Sequence, residues 1–291
     1  MIYYNVEVGG IVVNIKFVVN DYVLVWNLLF QASINERIHK LKQKLWLNYK
    51  KEYNKTFHDK EYILKDPKNF IPNDDTIYNI VLESKEFEKI KKDTEKYRNR
   101  VLKIWDNYKK DASKIIKSIT KLDIKPYQVL VVDEDLDIID TTTVKGAKVN
   151  TIVLGKKVTA DTSLKLVVEL VFQIIKKELK SYKVEYKDMV DAVIELAILN
   201  EFPTRLTGRS HYLTGDPTLN YLKRQMYPYW LMYLGASKDD MMNFMMRDKI
   251  AFDIDKYPYE KELKKRDLLE FIDFCIRNQK YIIKIHELEI I

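Results

Sequence analysis

The sequence predicts an α+β protein that is mostly helical and contains one small β-sheet. Only 7 Gly and 7 Pro occur in 291 residues, which favours long helices joined by few tight turns. Most of the chain repeats its apolar residues at helical spacing, whereas three short apolar segments between residues 127 and 154 have the length of strands. With 46% hydrophobic residues, a chain of this length can bury a sizeable core.

The N-terminal part predicts a hairpin followed by helices. Residues 2–8 and 11–19 alternate apolar and polar around Gly9-Gly10, and paired glycines supply the positive φ angles that a two-residue turn needs. A helix is predicted to begin near Asp21. A Ser-x-x-Glu capping box at residues 33–36 predicts the start of another helix.

The remaining elements are predicted from periodicity and from signals at helix ends. Asp216, Pro217 and Gly235 are especially clear, as a helix N-cap, a first helical residue and a C-terminal glycine. The character of the sequence changes near residues 122–126, which predicts domains 1–125 and 126–291, with one continuous domain as the alternative. The predicted elements are a basic helix at 36–51, one or two charged helices at 75–121, strands at 127–132, 138–144 and 151–154, and helices at 162–181, 186–201, 217–234, 238–251 and 259–286.

Composition limits the partners that we expect. The single cysteine, Cys275, excludes an internal disulfide framework and indicates a reducing cytoplasm. The net charge of +7 makes nucleic acid a partner to consider, through the basic helix 36–51. However, 50 Lys and Arg are interleaved with 43 Asp and Glu, as on the surface of a thermophile's protein, so we expect weak binding of nucleic acid or none. No apolar run of about 18 residues is present, so we expect no membrane partner.

One helix pair resembles a known architecture. The predicted helix 162–181 carries Glu169 between Val168 and Phe172, and the predicted helix 186–201 ends in Asn200-Glu201. A predicted strand precedes the two helices. This order of elements resembles the thermolysin-like branch of the zincin metallopeptidases (gluzincins), in which the first helix carries His-Glu-x-x-His and the second supplies a Glu as the third zinc ligand.

The resemblance implies a metallopeptidase scaffold without its metal. In the resemblance, Val168 and Phe172 stand at the positions of the two zinc-binding histidines. Glu169 stands at the position of the general base, and Glu201 at that of the third zinc ligand. Neither Val nor Phe coordinates a metal, so we expect no zinc and no cofactor. The resemblance therefore implies a non-catalytic pseudo-peptidase that acts as a binding or structural protein, with an active hydrolase of unrecognised type as the alternative.

The two glutamates, both vestigial catalytic candidates, also have simpler interpretations. Glu169 lies on a polar stripe with Lys165, one turn earlier, so it is either solvated and paired with that lysine or facing a cleft. Glu201 follows the apolar face of its helix. Three interpretations stay open for it: the helix frays and Glu201 faces solvent, Glu201 pairs with Arg205, or it binds a metal. Pro203 disfavours the pair, because proline interrupts helical geometry.

Other patterns give further candidate sites. Asn200 and Arg205, in the segment 200–208, and His211, in the Gly-flanked loop 208–215, are candidate binding residues together with Glu201. The acidic cluster Asp133–Asp137 is either a turn between strands or a site for a divalent cation. The region 226–246 is rich in Met and aromatic residues, which predicts core packing or a surface for a protein or peptide partner.

Overall fold

A computed structural model describes residues 13–33, 35–58, 64–140, 150–247 and 260–283. The protein is α+β and mostly helical, with a four-stranded mixed sheet and a separate two-stranded sheet, as predicted. The chain forms two compact units. We call them the sheet unit, which comprises Val13–Lys109 and Lys125–Ile174, and the helical unit, to which the described residues 110–124, 175–247 and 260–283 belong.

The four-stranded sheet combines one early strand with three later ones. Its strands are β1 (Ile15–Val18), β4 (Tyr127–Val131), β5 (Ile138–Asp140) and β6 (Asn150–Gly155), and their spatial order is β1-β4-β6-β5. β4 pairs in parallel with both β1 and β6, and β5 adds an antiparallel edge. The two-stranded sheet consists of β2 (Leu64–Asp66) and β3 (Ile71–Pro72).

The helices of the sheet unit surround a core of aliphatic and aromatic side chains. They are α1 (Asp21–Phe30), α2 (Glu36–Asn48), α3 (Lys50–His58), α4 (Thr76–Leu82) and the first part of α5 (Lys85–Thr120). The Asn20 side chain caps α1 by accepting a hydrogen bond from the Val23 amide. Leu24, Leu28 and Ile77 are fully buried in this core, which β4 and β6 share through Leu130 and Val153.

The later helices belong to the helical unit, except that residues 163–174 of α6 belong to the sheet unit. They are α6 (Ser163–Glu178), α7 (Lys187–Glu195), α8 (Phe202–Thr207), α9 (Asn220–Tyr233), α10 (Lys238–Arg247), α11 (Leu268–Arg277) and α12 (Gln279–Ile283). The core of this unit is aromatic. Trp230 stacks on Tyr233 at a ring-centroid distance of 5.2 Å, and Phe271 packs against both rings at 5.5 and 4.8 Å.

Three predictions about helices are wrong, each for a local reason. The predicted helix 36–51 ends at Asn48, because Tyr49 leaves helical geometry before α3 begins. Its N-cap is Asn35, whose side chain accepts from the Arg37 amide, and not Ser33 of the predicted capping box. The predicted helix 259–286 is broken before α11, since Asp267 and Glu270 form a capping box there.

Several predictions fall partly or wholly outside the described residues. These are the strand 2–8 with its Gly9-Gly10 turn, the end of strand 138–144, and the ends of helices 238–251 and 259–286. The predicted boundary near 122–126 matches one point where the chain passes between units, although each unit also contains chain from the other side of it. As a statement about two successive domains it stays a prediction. Within the described residues, no helix is both long and apolar enough to cross a membrane.

Candidate functional site

The segment that contains most of the candidate residues is a single helical path with a widened turn. α7 continues through a π-helical turn, Leu196–Glu201, directly into α8. Pro203 follows this turn, and Phe202 keeps helical angles of φ −58° and ψ −53°. In a π-helical turn each amide bonds to the carbonyl five residues earlier instead of four. The regular hydrogen-bond pattern of the helix is therefore already changed next to Pro203, which has no amide donor. The helix therefore continues past Pro203.

Because the helix continues, Glu201 and Arg205 lie one turn apart and pair. Arg205 Nε donates to Glu201 Oε1 at 2.6 Å, and Arg205 Nη1 donates to Ser118 Oγ at 3.1 Å. Of the three interpretations of Glu201, the structure shows the ion pair. The expectation that Pro203 disfavours this pair is wrong, since the π-helical turn accommodates the proline.

Asn200 joins this helix to the loop 208–216. Its Nδ2 donates to the Glu195 carbonyl at 2.7 Å, while its Oδ1 accepts from the Thr214 amide at 2.9 Å. Thr204 adds a second link, because its hydroxyl donates to the Asn200 carbonyl at 2.6 Å and accepts from the His211 amide at 3.1 Å. The candidate binding residues Asn200 and His211 thus belong to one hydrogen-bonded network.

His211 contributes its backbone to this network more than its ring. Its Nε2 atom is buried and meets no hydrogen-bond partner among the described residues. The backbone hydrogen bond to Thr204 is therefore the contact by which His211 joins the network.

A buried ion pair beneath the loop is the main feature that sequence reasoning missed. Lys223 Nζ lies 2.6 Å from Glu195 Oε2, and the two side chains are 0% and 7% exposed. The Glu195 carboxylate also accepts from the Asp216 amide at 3.0 and 3.1 Å, and Lys223 donates to the Thr214 carbonyl at 3.1 Å. Helical periodicity places Glu195 on the polar face of its helix, but the loop and α9 cover that position.

Gly215 allows the loop to approach the ion pair closely. Its φ angle is +119°, which side-chain-bearing residues rarely adopt, and a Cβ atom there would lie 2.2 Å from Glu195 Oε2. Only glycine fits this position without moving the Glu195 carboxylate. Gly208, at the other end of the loop, has a φ of +70° and open space around its Cα.

Glu169, in the sheet unit, is also ion-paired. Lys156, which directly follows β6, lies 3.0 Å from Glu169 Oε2, whereas Lys165 lies 4.0 Å from Oε1. Glu169 therefore has two ion pairs, and the one with Lys165, which the polar stripe predicts, has the longer distance. Val168 and Phe172, the positions of the histidines in the resemblance, are half-buried.

The Met- and aromatic-rich region divides into core and surface. A large part of it is buried: Met226, Tyr229, Trp230, Met232, Tyr233 and Met241. Two outer residues of the region, Tyr227 and Phe244, form what we call the aromatic cluster together with Tyr212 of the loop 208–216. The ring centroids of Tyr227 and Phe244 are 4.6 Å apart, and Tyr212 packs edge-on to them at 4.9 and 6.3 Å.

No metal centre is found in the part of the chain that the structure describes. No group of three or more His, Cys, Asp or Glu residues there is placed to hold an ion. In the acidic cluster, Asp133 caps a short 3-10 turn, Glu134 pairs with Arg100 at 2.6 Å, and Asp135 accepts from Asn35 at 2.9 Å. Burial raises the pKa of Asp133 above its ordinary value, with neighbouring carboxylates adding to the effect.

Comparisons with known proteins gave no match: no protein-family model, no curated protein and no solved structure matches this chain. The zincin-like resemblance therefore stays a prediction, and the function has to be inferred from the geometry of the site.

Proposed function

We propose that this protein is a non-catalytic binding protein with a zincin-like helix pair, and that it binds a protein or peptide partner at the aromatic cluster. The observation that carries this proposal is the cluster itself. Three packed rings, half-buried or exposed, form one apolar group at the surface, in which loop 208–216, α9 and α10 each contribute one ring. Aromatic side chains are enriched in protein interfaces because they bury much apolar surface with few rotatable bonds.

The support for a non-catalytic role is the state of the two glutamates. A zincin glutamate polarises a metal-bound water, and its partner glutamate ligates the metal. Here Lys156 binds the Glu169 carboxylate and Arg205 binds the Glu201 carboxylate. Both groups therefore carry structural ion pairs, which is how a scaffold would keep these residues after losing the histidines.

The support for a defined binding surface is the bracing of the loop. Tyr212 lies in the loop 208–216, whose backbone is hydrogen-bonded to the side chains of Asn200, Glu195 and Lys223. A partner that contacts Tyr212 meets a ring on a loop held in place before binding, so little conformational entropy is lost.

Nucleic acid is the less favoured partner for this protein. On the basic helix, Arg37 pairs with Asp93 at 2.8 Å, Lys40 with Glu36 at 2.6 Å and Lys44 with Glu86 at 3.1 Å. Each pair lowers the positive charge that the helix offers to phosphates. We therefore keep the expectation of weak binding, lost as salt approaches physiological strength.

A peptide library displayed on phage tests the proposal directly. The wild-type protein should select peptides with apolar anchors, and the double variant Tyr212→Ala/Phe244→Ala should bind the selected peptides about tenfold more weakly or worse. The matched control is Trp46→Ala/Tyr49→Ala, which removes two exposed aromatic side chains from the sheet unit and should leave binding unchanged. Failure to select any peptide, or equal loss in both double variants, would contradict the proposed surface.

Elemental analysis tests the non-catalytic part separately. The purified protein should hold no stoichiometric zinc, because Val168 and Phe172 offer no ligand atoms. One tightly bound zinc per chain that is lost in Glu169→Ala or Glu201→Ala would overturn this part of the proposal, whatever the peptide result.

A further inference from the structure

A group of exposed apolar side chains lies where α2 ends. Trp46, Leu47 and Tyr49 are 44%, 71% and 39% exposed, although each is a large hydrophobic residue. Tyr49, with φ −137° and ψ 39°, separates α2 from α3. We call this group the Trp46–Tyr49 corner. Large apolar side chains are mostly buried in folded proteins, so three exposed ones within four positions are unusual.

The surroundings of the corner carry a net positive charge. Residues 36–55 contain seven Lys and Arg against two Glu, a net charge of +5 in a chain whose total is +7. Three of the cations, Arg37, Lys44 and Lys55, pair with the acids Asp93, Glu86 and Asp74. The side chains of these three cations nevertheless stay 53 to 69% exposed. Counting these three acids lowers the net charge of the patch from +5 to +2 (5 − 3), and Lys50 and Lys51, which directly follow the corner, place positive charge beside it.

We propose that the Trp46–Tyr49 corner docks on the surface of an anionic lipid bilayer. Trp and Tyr rings favour the headgroup region of a membrane, and an exposed Leu between them can enter the acyl boundary. Lys50 and Lys51, which directly follow the corner, would contact anionic headgroups while their stems cover apolar surface. The corner thus has the three chemical components of a peripheral membrane anchor.

A nucleic acid fits the same corner less well. Bases stack on open aromatic faces, but Lys50 Nζ lies over the Trp46 ring, 4.9 Å from its centroid. The Tyr53 ring packs edge-on to Trp46 with a centroid distance of 6.1 Å. Leu47, the most exposed member of the corner, has no π face at all. The side chains therefore favour lipid over bases.

A protein partner also fits less well. Trp46 and Leu47 are successive helical residues, so their side chains point about 100° apart and form no shared flat face. A stable protein interface needs several hundred Å² of complementary surface on each side, whereas a fluid bilayer adapts to a small irregular tip. The proposal is independent of the aromatic cluster. It departs from the expectation of no membrane partner, which rested on the lack of a membrane-spanning segment.

Co-sedimentation with vesicles tests the proposal. The full-length protein is mixed, at about 0.1 M salt, with phosphatidylcholine vesicles that contain either no phosphatidylserine or one third of it. Binding should require the anionic lipid. Leu47→Asp should reduce the partition coefficient about tenfold or more, because Asp cannot enter the acyl boundary. Lys50→Gln/Lys51→Gln should reduce it by about fivefold for each lysine.

A matched variant and a second ligand complete the test. Val184→Asp introduces the same charge at another apolar residue, 62% exposed and in the helical unit, and should leave vesicle binding unchanged. Equal binding by Leu47→Asp and wild type, equal loss in Val184→Asp, or no binding of anionic vesicles would each overturn the proposal. Tight binding of a single-stranded oligonucleotide, lost in Trp46→Ala, together with no vesicle binding would assign the corner to nucleic acid.

Discussion

The buried ion pair of Glu195 and Lys223 gives the sharpest prediction about stability. Replacing Lys223 with Met keeps the length of the side chain but removes the charge that faces Glu195. Among the residues that the structure describes, the Glu195 carboxylate would then keep the Asp216 amide as its one donor, at 3.0 and 3.1 Å. A buried carboxylate without its cation either stays charged at a high cost or binds a proton.

The expected cost follows from the burial of the pair. Breaking a buried pair by removing one partner costs about 3–5 kcal/mol of the free energy of unfolding. We place Lys223→Met in this range, because the lysine is completely buried and the Thr214 carbonyl also loses Nζ as a donor. The double variant Glu195→Gln/Lys223→Met leaves no uncompensated charge, and the Gln amide oxygen can still accept from Asp216. It should be at least as stable as either single variant.

Urea unfolding, followed by tryptophan fluorescence and circular dichroism, measures these changes, since Trp230 is buried in the same unit. The matched control is Lys40→Met, which breaks an exposed pair with Glu36 and should leave the unfolding midpoint unchanged. If Lys223→Met unfolds at the wild-type urea concentration, or if the double variant is less stable than both singles, the reasoning about burial is wrong.

Three further changes should affect stability in defined directions. Gly215→Ala should destabilise by about 2–4 kcal/mol, from backbone strain and the contact with Glu195, whereas Gly208→Ala, with open space around it, should cost only about 1–2 kcal/mol in the same urea measurement. Val171→Asp should lower the melting temperature strongly, because Val171 is fully buried in α6 and the charge would be desolvated there; an unchanged melting temperature would contradict this burial. Burial raises the pKa of Asp133, so the folded protein binds that proton more tightly and stability falls as pH rises from the ordinary carboxyl pKa through the folded value. Asp133→Asn should therefore be more stable than wild type at pH 7 but not at a pH below the ordinary carboxyl range. Thermal scans in which the variant and the wild type differ equally at both pH values would contradict the raised pKa of Asp133.

The sequence predicted those features that depend on neighbours along the chain. The start of α1 near Asp21, the strands β4 and β6, and the helix end at Gly235 all follow from capping residues or from short-range periodicity. The ion pair of Glu201 with Arg205 also follows such a rule, and it was among the predicted alternatives. Local rules work here because one helical turn fixes both partners.

Features that depend on the tertiary fold were not predictable in this way. Glu195 has the helical phase of a polar-face residue, and no short-range pattern indicates that Lys223, on another helix, will cover it. Glu169 finds Lys156 across the connection from β6, although the sequence suggests Lys165. Pro203 would end a regular helix, and only the π-helical turn before it explains why the helix continues. In each case a long-range contact or an altered local geometry overrides the local rule.

The parallel pairing of β1 with β4 has a consequence for how the chain folds. Residues 15–18 register with residues 127–130, so β1 gains its partner only after α1 to α5 have been made. Pairing strands so distant in sequence requires closing a long loop, and such contacts slow folding. During synthesis, the early helices can gather while β1 still lacks β4. A nascent chain that stops before Tyr127 would therefore present an unpaired strand edge, a surface prone to aggregation until the central strand arrives.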